Sequence, residues 1–167
     1  MSLNIEKCDP ALGHKVHEHL VSLGVETPAV FCDWSSKRKI AKISRNFETI
    51  MEVLGMDLSD DSMSESPTRV AKMYVNELMW GLDPENFPKC TVVENKMKYD
   101  EMVLEKGIQV ISWCEHHFQT ISGTACVAYI PRNKVLGLSK LNRVVEYFSR
   151  RPQIQERLTE QVYHALS

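Results

Sequence analysis

The 167-residue chain has little excess charge of either sign: twenty Lys and Arg stand against twenty-two Asp and Glu, a net charge of -2 at pH 7. That excludes a protein that holds nucleic acid mainly through its overall charge, so an anionic ligand has to be met by local groups. No uninterrupted apolar run is long enough to cross a bilayer, and the opening MSLNIEKCDP has no apolar core behind a basic head. The expected location is cytoplasmic. Internal repeats and low-complexity segments are lacking too. The five cysteines, Cys8, Cys32, Cys90, Cys114 and Cys126, are an odd number without a repeated spacing. They do not resemble the disulfide framework of a small secreted domain, which leaves thiols or metal ligands. What the chain does have is 43% hydrophobic and 25% charged residues, too apolar for disorder and enough for one core, with or without a helical arm.

Periodicity divides the chain into elements. Leu12, Val16 and Leu20 recur at fourfold spacing after Pro10, predicting a short helix that ends near Gly24. Ser35 and Ser36 are candidate caps for a longer helix with Ile40, Ile43, Phe47, Ile50 and Leu54 on one face, closed by Gly55. The other face carries Lys37, Arg38, Lys39, Lys42 and Arg45, read as solvated rather than as a phosphate patch. After the polar run DLSDDSMSES, Ser66 and Pro67 open a helix expected to reach about Trp80. TVVENKM, DEMVLEKGIQVIS and FQTISGTACVAYIP are rich in β-branched residues and read as strands. Two helices follow. Ser139 is the expected cap of the first, with Leu141, Val144, Val145 and Phe148 inward, and Pro152 is expected to open the second, with Ile154, Leu158, Val162 and Leu166 at helical spacing.

Three clusters carry chemistry. Cys114-Glu115-His116-His117 lies between two predicted strands, and a thiolate and an imidazole three positions apart can reach one tetrahedral zinc if the strand end bends. The competing reading is a buried cysteine followed by a polar turn. A complete site needs another donor: Cys8, Cys32 and Cys90 are open to that role, whereas Cys126 reads as a small core residue in an apolar strand. His14, His17 and His19 cannot readily share one site on a helix, and they read as solvent-exposed, as does His164. The second cluster, G-L-S-K-L-N-R over residues 137–143, sets Ser139, Lys140 and Arg143 in the first turn of a helix, where backbone N–H groups and the dipole favour a phosphate; a capped surface helix is the alternative. In the third, Gln155 and Glu156 begin a helix. Glu156 either complements the dipole or, if buried, pairs with a guanine edge.

The stretches CEHHFQTISG, VAYIP, GLSKLNRVVEYFSRRPQIQERLT and ESPTRVAKMYVNELMWGL, with ENKMKYDEMV, closely resemble GTP cyclohydrolase I, in order from about Glu48 to Ala165. The resemblance implies an α+β tunnelling fold: an antiparallel strand pair, two packed helices and a second strand pair, assembled into a ring-based decamer with active sites between subunits. Residues 1–65 would then be an N-terminal helical extension and residues 66–167 the catalytic domain. It implies zinc-dependent hydrolysis of GTP to 7,8-dihydroneopterin triphosphate and formate, the entry step to folate and tetrahydrobiopterin. Carried onto this chain, it implies Cys114 and His117 as zinc ligands and His116 as an acid/base residue. Glu156 would anchor guanine with Gln155 beside it, Ser139 would address the ribose, and Lys140, Arg143 and a neighbouring subunit's Arg69 would hold the triphosphate.

Family members also carry an H-x-C motif, with a second catalytic histidine and the third zinc ligand, in a second strand pair that these 167 residues do not contain. The expectation is therefore weak zinc binding, an unpaired sheet edge and no turnover by the chain as it stands. A fragment of a full enzyme is the favoured explanation. A natural short homologue with a binding or structural role in mixed rings is the alternative, and a deazaguanine nitrile reductase of the same fold is a weaker third reading.

Overall fold

A computed structural model describes residues 3–30 and 32–167. The chain forms two compact units, one built mainly on Ala29–Trp80 and the other on Asn4–Pro28 with Gly81–Ser167. In the first, helix α2 spans Ser36–Val53 and helix α3 Ser66–Met73, continued by a wider π-type turn over Tyr74–Leu78. The α2 helix starts where Ser35 Oγ accepts the Arg38 N–H at 3.4 Å, and Gly55 adopts the left-handed φ of 80° that follows its end. The two helices pack through Met51, Pro67 and Ala71, and Ser44 meets Thr68 at 3.2 Å. Ile50 and Leu54, expected inward, are exposed. Among the described residues α2 packs against α3 and its π-type continuation, and burial follows the narrower stripe Ile43, Phe47 and Met51.

In the second unit, helix α1 covers Pro10–Ser22, capped by Asp9, whose Oδ1 accepts the Leu12 N–H at 3.0 Å. Its Gly13 meets the turn Pro84–Asn86 so closely that a Cβ would lie 1.9 Å from the Pro84 carbonyl oxygen, so only glycine fits. Strand β1, Val92–Glu94, pairs antiparallel with β4, Lys134–Leu136. The TVVENKM stretch thus yields a much shorter strand than its β-branched content suggested. The long hairpin of β2, Val103–Cys114, and β3, Thr120–Tyr129, is antiparallel, with a bulge at Gly107.

The inward residues of β2, Ile108, Val110 and Ser112, lie under helix α4, Leu138–Ser149, which buries Leu141, Val144, Val145 and Phe148 as its period required. Phe87, Tyr147 and Phe148 stack edge to face at 4.9 to 6.2 Å within the core. Pro152 does not open the last helix. Pro152–Gln153 forms a short strand β5 that runs parallel to the end of β2, and helix α5 begins only at Gln155 and runs to Leu166. The three-stranded sheet, in order β3-β2-β5, is therefore mixed rather than wholly antiparallel, and β3 is an edge strand. Cys126 is exposed, not a core residue, because side chains alternate between the two faces of a strand and Cys126 falls on the open one, between the half-buried Ala125 and Val127.

Candidate active site

The Cys114-Glu115-His116-His117 cluster forms the connection from β2 to β3. The Cys114 N–H donates to the Gln119 carbonyl at 2.8 Å and the Phe118 N–H to the Cys114 carbonyl at 2.9 Å, closing a tight turn in which Phe118 takes a left-handed φ of 54°. A non-glycine residue held there stores strain on the order of 1–2 kcal/mol, a feature concentrated at functional sites. The turn brings Cys114 Sγ to 3.8 Å from His116 Nδ1 and leaves both imidazoles exposed. Hydrogen bonds from the backbone of His117 and His116, then from their side chains, pull the Cys114 thiol from 9.0 down to about 6. At neutral pH it is a thiolate, the form that binds metals.

That donor set fits zinc in part: a thiolate and imidazoles on one turn suit a borderline-soft ion. Among the described residues no group of three His, Cys, Asp or Glu side chains is placed to hold a metal. Cys8 is buried, with burial raising its thiol pKa, and Cys90 is half-buried with its thiol raised the same way; neither has the thiolate character of Cys114.

The remaining expected residues fall at two helix starts of this unit. At α4 the cap is Gly137, and Ser139 lies inside the first turn with an exposed side chain; the Gly137 carbonyl instead accepts the Lys140 N–H at 2.8 Å. Lys140 is half-buried on that turn, and Arg143 is half-buried one turn further along the helix. Gln155 and Glu156 are the first two residues of α5, both exposed, so Glu156 is presented at the helix N-terminus rather than sequestered. Arg69 is exposed on α3 and belongs to the other unit.

Sequence reasoning passed over two residues that the fold brings to this turn. Glu115 forms a two-point ion pair with Arg157: Oε2 meets Nη1, and Oε1 meets Nη2 at 3.5 Å. Arg157 holds the Glu115 carboxyl below its usual range. A faint signal existed in the sequence, since an arginine in the first turn of a helix opposes the macrodipole and calls for a compensating anion. Arg151 was also missed. It is buried at the α4–β5 junction, 2.7 Å from Glu26, donates to the Gly81 carbonyl, and lies over the Tyr147 and Phe148 rings.

Fold and turn together define an α+β protein with a cysteine–histidine turn at the end of a strand. Comparison with known proteins makes that class specific. The profile of the GTP cyclohydrolase I family matches residues 43–167. The protein called GTP cyclohydrolase 1 in Aeromonas salmonicida is 56% identical over 151 residues, that of Pectobacterium carotovorum subsp. carotovorum 55% over 153, and that of Yersinia enterocolitica 52% over 151. Each match covers 90% of this chain and 69% of the relative. The chain belongs to the GTP cyclohydrolase I family, a family of hydrolases in folate biosynthesis. No helix among the described residues is long and apolar enough to cross a membrane.

Proposed function

We propose that this chain binds GTP and carries the chemistry of its hydrolysis to 7,8-dihydroneopterin triphosphate and formate, on a tunnelling fold assembled as a homo-oligomeric ring. The observation that carries the reading is the β2–β3 turn, where a cysteine with a lowered pKa sits beside two exposed imidazoles and the neighbouring Glu115 ties the turn to the helix that begins with Gln155 and Glu156. Cys114 and His117 are the residues that would hold zinc. When bound, zinc supplies the Lewis acidity that brings the pKa of a water toward neutrality.

The protein groups divide the rest of the work. The Glu156 carboxylate accepts hydrogen bonds from the amide and amino hydrogens of the guanine edge, with Gln155 beside it, and this fixes the base. His116 gives a proton to the imidazole ring of the purine, which makes C8 a better acceptor for water; ring opening and loss of formate follow. Ser139 meets the ribose. Lys140 and Arg143, with Arg69 of a neighbouring copy, hold the triphosphate away from the reacting carbon, so their binding energy orients the base. Two zinc donors on one turn are fewer than a stable zinc site uses, so the expectation for these 167 residues is weak zinc binding and negligible formate release.

The test is equilibrium binding of GTP and ATP, alongside formate release. The expected outcome is a preference for GTP that is lost in Glu156→Ala, with negligible formate. Equal affinity for the two nucleotides in the wild type contradicts the proposal. Rapid formate release contradicts the incomplete donor set, and shows that a further residue completes it.

A further inference from the structure

The cluster turn is held from two directions. Its backbone is tied to β5, where Cys114 pairs in register with Gln153 and the Glu115 N–H donates to the Gln153 carbonyl at 3.2 Å. Its side chain reaches one step further along the chain, to Arg157 at the third position of α5. Both partners are about four-fifths covered, at 21% and 19% side-chain exposure, so the fork-to-fork contact is shielded enough to be directional and not merely a surface attraction. Arg157 also stands where a cation is unfavourable, at a helix N-terminus, which only a nearby anion offsets.

The two ends joined by this bracket are the two ends of the proposed reaction. Glu115 lies between Cys114 and the histidines, and Arg157 follows Glu156 directly. On an α-helix, adjacent residues point about 100° apart, so Arg157 can face the turn while Glu156 is left exposed for a ligand. Without Arg157, the turn would keep its backbone bonds and the Cys114–His116 contact but lose its side-chain tie to α5, and the Glu115 carboxylate, 3.9 Å from His116 Nε2, would lose its guanidinium partner.

We propose that the Glu115–Arg157 pair is a positioning device that sets the metal-holding turn against the base-anchoring start of α5, touching neither metal nor nucleotide itself. The inference rests on the functional reading above for its purpose, and on the geometry alone for the coupling. In physical terms the pair holds the rotamers of the turn, and loss of such orienting partners costs about 10- to 100-fold in metal affinity.

The experiment uses the 167-residue chain with zinc alone as the probe. Zinc affinity is measured by chelator competition, amide exchange is followed over residues 114–119 in the absence of metal, and thermal unfolding is recorded for Arg157→Gln, Glu115→Gln, the double variant and Arg157→Lys. The expected result is faster exchange of the turn and about 10- to 100-fold weaker zinc binding in each single variant. The double variant should be no worse than either single, Arg157→Lys should recover part of the loss, and the melting temperature should barely move. Unchanged exchange and unchanged zinc affinity in both single variants would overturn the proposal, as would losses that simply add in the double variant. If the wild type binds no zinc while exchange still responds to both substitutions, the functional reading fails and the coupling of turn to helix stands.

Discussion

Two arginine–carboxylate pairs in the same compact unit do opposite work. Glu26–Arg151 joins the segment after α1 to the junction of α4 and β5, with side chains 12% and 3% exposed. Around it, Gln161 donates to the Val25 carbonyl at 3.0 Å and to Thr27 at 3.2 Å, and Gln153 donates to the Phe148 carbonyl at 2.8 Å and to Gln161 at 2.6 Å. Glu115–Arg157 is less buried and, among the described residues, has no comparable network around it, and it sits on the β2–β3 turn that carries Cys114 and the two histidines. The first pair is embedded in the core, where an unpartnered charge is very costly; the second is at the edge, where the same chemistry costs the fold little and can serve geometry instead. Burial and surroundings, not the pairing itself, decide what an ion pair is for.

Substitutions can break this contrast in order of expected effect. Arg151→Ala strands the Glu26 carboxylate and is expected to cost about 3–5 kcal/mol in denaturant unfolding. A loss below about 1 kcal/mol would erase the distinction. Glu26→Gln keeps the shape and some of the hydrogen bonds, and should cost about 1–3 kcal/mol in the same measurement. Arg157→Gln should cost less than about 1 kcal/mol, and a larger loss would make that pair a second structural anchor.

pH sharpens the comparison further. Arg157 lowers the Glu115 pKa in the folded state, so its stabilisation is fully present above the ordinary carboxyl value of 4.5 and is lost as pH falls through the lower folded value. The stability difference between wild type and Arg157→Gln should therefore close in acid. The smallest effect is local: alkylation of Cys114 in the metal-free chain should reach half its maximal rate near pH 6, the position of its lowered pKa, and a midpoint near 9.0 would remove the thiolate from the account.

The sequence made the local features legible and left the long-range ones hidden. Leu141, Val144, Val145 and Phe148 announce the buried face of α4 because helical period is written within twelve residues. Cys114, His116 and His117 stand out because the metal-binding types are crowded into four positions. Glu115–Arg157 spans 42 residues and Glu26–Arg151 spans 125, and nothing in local pattern couples such distant positions. Cys126 was misread for a related reason: its apolar neighbours say strand, but only the fold says which face of that strand is left open. Pro152 followed a sound rule for helix starts, and tertiary pairing with β2 outweighed it.

The central claim is that Cys114 grips a metal together with the histidine three residues on. Cobalt(II) at saturating concentration reports this directly, because a bound thiolate gives a sulfur-to-metal charge-transfer band. The account predicts that band in the wild-type chain and its loss in Cys114→Ser; a band of equal intensity in the serine variant would show that the ion is held elsewhere.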